Sequence, residues 1–95
     1  MLTRVPFTAR VSIPEHVLVR DLDGESVVLS LETERYFGLD EVGTRMWTLL
    51  AGANTIQSAY ESLLAEYDVD PGQLRADIER LIGALSEQGL LVVHE

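Results

Sequence analysis

The 95-residue chain contains no cysteine and no lysine. The first absence excludes a disulfide framework, a thiolate metal site and a cysteine nucleophile, and it fits an intracellular protein. The second makes all seven basic residues arginine, set against sixteen Asp and Glu for a net charge of −9. These acids are spread along the chain. Such a balance argues against nucleic acid and against an anionic membrane surface, both of which are bound through cationic groups. It leaves room for a neutral or basic partner such as a peptide; a charge that only maintains solubility is the plainer alternative. No apolar run approaches the ~20 residues that span a bilayer. The opening MLTRVPFTARVSIPEH has no apolar stretch of the signal-peptide kind. Cytoplasmic location is the expectation.

What is present predicts one small domain. A 46% apolar content supports a folded globule. A chain of this length buries roughly 60–65% of its unfolded surface. Residues 1–15, interrupted by Pro6 and Pro14, read as an extended arm. The domain proper is expected over 16–95. HVLVRDLDGESVVLSLET is a hairpin signal. Asp23-Gly24 suits a type I′ turn, which pairs Arg20 with Val27 and Leu18 with Leu29. One face then carries Leu18, Leu22, Val27, Leu29 and Leu31, and this is the expected core face, with Arg20 the exception. The other carries Val17, Val19, Val28 and Ser30. A second turn at Glu32-Thr33-Glu34 leads to a third strand over Arg35–Leu39.

Three helices follow. Asp40 is an expected N-cap, before a stripe of Val42, Met46, Leu49 and Leu50 with Trp47 alongside, ending at Ala51-Gly52. Thr55 caps the second, with Ile56, Ala59, Tyr60, Leu63, Leu64 and Tyr67 as its stripe. Asp70 caps the third, with Pro71 at its first position and Gln73 completing a capping box. Its stripe is Leu74, Ile78, Leu81, Ile82 and Leu85, and Gly89 stops it. Residues 90–93, LLVV, leave in extended form. The predicted class is α+β, a winged helix-turn-helix: a three-stranded antiparallel sheet followed by three helices.

Chemistry-bearing patterns are scarce. His16 and His94 lack metal-ligand spacing. Ser58, Ser62 and Ser86 sit on predicted helices with no nucleophile elbow. Asp77 and Glu79 point in different directions on a helix. No glycine-rich phosphate loop occurs. The expectation is a protein with no catalysis of its own, no metal and no cofactor. A winged helix-turn-helix also raises DNA binding, but residues 70–89 hold Arg75 and Arg80 against Asp70, Asp77, Glu79 and Glu87. A helix of that charge repels phosphate.

The third strand is the remaining candidate. RYFGL is short, holds no proline, and in a simple meander has a free edge. Gly38 lets another backbone approach. If the third helix packs nearby, edge and helix form a groove that an extended peptide could enter as a fourth strand. The opposite reading is equally physical: Tyr36, Phe37 and Leu39 are core, and the LLVV tail or a second copy covers the edge. The residues alone leave both open, along with which of Tyr36 and Phe37 faces the groove.

The run VVLSLETERYFGLDEVGTRMWTLL, followed by TIQSAYESLLAEYDVDPGQLRADIERLIGALSEQGLL, resembles the PqqD family. The shared features are the hairpin, the strand Tyr36 to Leu39 followed by Asp40, the helical Trp47, and Asp77 with Leu81 and Leu85. The last spacing is one residue wider than the family's. The resemblance covers about residues 16–91. It implies a recognition element for the leader peptide of a ribosomally made precursor. The leader would add as an antiparallel strand to the third strand, beside the third helix. Carried over to this chain, the peptide-binding residues are Glu34, Arg35, Tyr36, Phe37, Gly38 and Leu39 on the strand, and Leu74, Asp77, Ile78 and Leu81 on the helix. The YFGLD strand is similar to stand-alone members of lasso peptide pathways. There the partner would be a leader-processing cysteine protease, with a cyclase acting afterwards. A chaperone presenting a peptide to a radical enzyme is the alternative within the family. Outside it stand an acidic winged-helix regulator and a homodimer formed through the strand edge.

Overall fold

The computed structural model describes residues 5–94. Residues 1–4 of the arm and the terminal Glu95 lie outside the described residues. The element order is β1 (Arg10–Ser12), β2 (Val17–Leu22), β3 (Glu25–Ser30), β4 (Tyr36–Leu39), α1 (Glu41–Gly52), α2 (Ile56–Glu66), α3 (Pro71–Glu87) and β5 (Val92–His94). Strands β2, β3 and β4 form an antiparallel meander, and β1 pairs with β5 in a separate two-stranded sheet. The fold is the α+β class expected.

Local chemistry places the element ends where the sequence puts them. Asp23 and Gly24 have φ of 61° and 95°, as a type I′ turn requires. Arg20 faces Val27 and Leu18 faces Leu29. Asp40, Thr55 and Asp70 each accept a backbone N–H three residues on. The capping box of α3 is only half formed. Asp70 caps the Gln73 amide at 2.9 Å, but the Gln73 side chain donates forward to Asp77. Gly89, at φ 73°, closes α3 in a Schellman turn: its N–H bonds the Ser86 carbonyl and that of Leu90 bonds the Leu85 carbonyl.

The core face of the sheet is the opposite of the one expected. Val17, Val28 and Leu39 are buried, whereas Leu18, Leu22 and Leu31 are at least half exposed. The helices cover the face that carries two buried serines, Ser26 and Ser30. Neither serine is left unpaired. Ser26 shares a 2.8 Å hydrogen bond with Thr44 of α1, and the Ser30 hydroxyl accepts from the Thr33 amide. The larger count of leucines marked the outer face. Arg20, the exception on the expected core face, simply points to water there.

The arm is stitched into the body. Phe7 is buried, stands edge-to-face on Tyr60 at 5.6 Å, and lies under the Arg75 guanidinium at 3.9 Å. The Phe7 and Ala9 carbonyls accept the Gln57 and Ile56 amides, which α2 cannot satisfy within its own first turn. The tail strand β5 pairs with β1 in the register Val11 to Val93. It therefore does not cover β4. The rest of the core is built from Leu50, Ile56, Leu63, Ile78, Ile82, Leu85 and Leu90, all essentially inaccessible. Each such side chain contributes about 2 kcal/mol by leaving water.

A free strand edge beside an apolar groove

Among the described residues β4 pairs only with β3, in the register Leu29 to Tyr36, Val28 to Phe37, Val27 to Gly38 and Ser26 to Leu39. The preceding turn holds Leu31 to Glu34, one residue more than the Glu32-Thr33-Glu34 turn expected from sequence. Glu34 takes φ 63°, and the Ser30 amide donates to the Arg35 carbonyl at 2.8 Å. That bond sets the alternation of the ladder. In an antiparallel pair, bonded and non-bonded residue pairs alternate. Phe37 and Leu39 therefore direct their backbone groups at β3, and Tyr36 and Gly38 direct theirs at the open edge.

Side chains alternate in the same rhythm. Phe37 shares the inner face with buried Val28 and is half-buried; Tyr36 stands on the outer face, 73% exposed. A Cβ on Gly38 would meet nothing within 4 Å, so the edge is open there on its outer side.

Phe37 forms one wall of a cavity of about 350 Å³ between β4, α1 and α3. Met46 comes from α1, and Leu81 and Ala84 from α3. Asp40, Asp77 and Arg80 supply its polar rim, with Val42 and Gly43 beside them. Positions 77, 81 and 84 fall on one stripe of α3, next to the stripe that enters the core. The Asp77 carboxylate is already engaged, accepting from Gln73 at 2.9 Å and from Arg80 at 3.1 Å. A second open cavity, about 430 Å³, adjoins the first at Asp40 and Val42 and is ringed by Asp23, Glu25 and Glu41. Among the described residues, no three His, Cys, Asp or Glu are grouped to hold a metal ion.

The expected peptide-binding residues separate accordingly. Phe37, Asp77 and Leu81 meet at the groove. Tyr36 and Gly38 offer the edge. Leu39, Leu74 and Ile78 are buried in the core and do not line the groove. Arg35 leans away toward α3, donating to the Gln88 side chain at 2.9 Å. Glu34 is exposed in the turn. Met46, Arg80 and Ala84 were not singled out by the sequence. Met46 looked like plain helix core, and Ala84 is small enough to be invisible to a hydrophobic count.

Comparison with known proteins agrees with this architecture. A search of curated protein sequences finds no match. Among solved structures, TbiB1 in complex with the TbiA(beta) leader peptide superposes with a TM-score of 0.77. It is 36% identical, over 84% of this chain and 93% of that one. Lasso peptide synthetase B1, complexed with its leader peptide, shares the fold at a TM-score of 0.74 and 21% identity, over 90% of this chain and 98% of that one. The sequence pattern of PqqD, coenzyme PQQ synthesis protein D, matches residues 25–91. The chain belongs to the PqqD family.

Proposed function

We propose that this protein binds the leader segment of a ribosomally made precursor peptide by strand addition to β4 and presents it to a maturation enzyme. One observation carries the reading: an unpaired strand edge runs beside an apolar groove walled by α3. An antiparallel peptide would bond to the backbone of Tyr36 and Gly38. Every second peptide side chain would enter the groove between Phe37 and Leu81, and backbone bonds would give affinity while the groove gives selection. The N-terminal side of such a peptide arrives at the end of β4. There the carboxylates of Asp23, Glu25, Asp40 and Glu41 favour basic residues. The likeness to TbiB1 supports the same ligand class.

The sequence resemblance favours a lasso-type precursor and a leader-processing cysteine protease as the next actor. The protein itself contributes binding and presentation, with no catalysis. On this reading the protein works in the cytoplasm, where precursors are translated. Among the described residues no helix is long and apolar enough to cross a membrane.

Fluorescence polarisation with a labelled leader peptide from a neighbouring reading frame tests the site. Leu81→Asp and Asp77→Arg should each weaken binding about tenfold or more, with circular dichroism melts showing that the fold persists. Unchanged affinity in both variants overturns the assignment.

A further inference from the structure

The outer face of the meander has no role in the peptide reading. Leu18, Leu29 and Tyr36 stand in one row across β2, β3 and β4. Leu22 and Val27 extend the row along the strands, with the exposed Arg20 between Leu18 and Leu22 opposite Val27, and Leu31 adjoins it in the turn. Leu18 is 50%, Leu22 54%, Leu31 59% and Tyr36 73% exposed. Antiparallel sheets usually turn polar residues to water on their uncovered face. A contiguous apolar patch with a polar rim marks an interaction surface.

The chemistry around the patch selects the occupant. The surface is a flat sheet rather than a concavity, which suits a protein and not a small molecule. Its rim is acidic, with Asp23, Glu25, Glu32 and Glu34 all exposed. An acidic rim opposes an anionic bilayer. It also opposes a second copy, which would bring the same rim and a further net charge of −9. The complement is a protein surface with an apolar centre, an acceptor for Arg20 and a basic border. Position narrows it further. Tyr36 belongs both to this face and to the strand whose edge would carry the peptide, so a protein seated here touches the added strand.

We propose that the outer face of the sheet docks the enzyme that next acts on the bound peptide, through a basic-rimmed apolar surface of that enzyme. This rests on the peptide-presenting reading of β4, and the test separates the two. The probe is the purified processing protease from the neighbouring reading frames, immobilised and titrated with peptide-free protein. The double variant Leu18→Lys/Leu31→Lys places two cations on the exposed face, at positions that line neither the groove nor the acidic cavity. It should lose protease binding by at least about tenfold, while leader affinity stays within about twofold. If the double variant melts early, Leu18→Gln replaces it, with a smaller loss expected. Equal protease binding by wild type and variant overturns the proposal, as does a wild type that does not bind the protease. A wild-type dimer in sedimentation that the variant dissolves also overturns it, assigning the face to a second copy. Face-dependent protease binding without any leader binding would sustain the docking surface and sink the peptide reading alone.

Discussion

At the scale of single residues, the decisive pair is Tyr36 and Phe37. Their types announce a strand in the sequence, but their facing depends on a register that the sequence leaves open. The four-residue turn from Leu31 to Glu34 sets it, because the Ser30 to Arg35 bond places Tyr36 opposite Leu29. The same bond decides where a proline acts. At Gly38 the N–H points to the open edge, so Gly38→Pro removes a donor that β3 does not use. Each lost bond is worth about 1 kcal/mol net, so leader affinity should fall about fivefold with a native-like melt. At Phe37 the N–H serves β3. Proline there leaves the Val28 carbonyl without its partner and should cost about 2 kcal/mol or more of stability. A paired titration and urea melt of the two variants checks this contrast. The alignment of the ladder thus makes Gly38, and not Phe37, the position for a blocking proline.

At the scale of elements, the helices were legible because their signals are local. Asp40, Thr55, Asp70 and Gly89 lie within a few residues of the ends they make. Gly89→Ala forces a Cβ into the left-handed region at φ 73° and should lower unfolding free energy by about 1–2 kcal/mol in urea melts. The joint between α1 and α2 is a different case. Arg45 donates to both Glu66 carboxylate oxygens, the shortest bond being 2.8 Å. That hydrogen bond, aided by the Arg45 charge, holds the Glu66 carboxyl below its ordinary value. A depressed carboxylate stabilises the fold above its unfolded value, and loses that contribution as pH falls through the folded one. Glu66→Gln should therefore melt earlier than wild type at neutral pH. The gap should close in acid, below the folded value, and thermal melts across that range read it. No spacing in the sequence points to this pair, because its members sit 21 positions apart on two helices.

At the scale of the whole molecule, a net charge of −9 acts on encounter more than on shape. A basic leader should associate more slowly as salt rises, with little change in its dissociation rate; stopped-flow fluorescence separates the two. The sequence by itself determined the element order from β2 onward, the caps, the hairpin turn and the family, since each rests on neighbouring residues or on their order along the chain, while β1 lay unseen in the arm. It also marked β4 and Asp77. Only the tertiary structure decided which face of the sheet is buried. Period-two alternation defines two faces, but the packing of α1 chooses between them, and it chose the face with Ser26 and Ser30. Tertiary contact likewise sewed the arm to α2 through Phe7 and Ala9, and sent the tail to β1 instead of to β4. That last pairing leaves the β4 edge open. It joins segments eighty or more residues apart, and such contacts leave no local trace in a sequence.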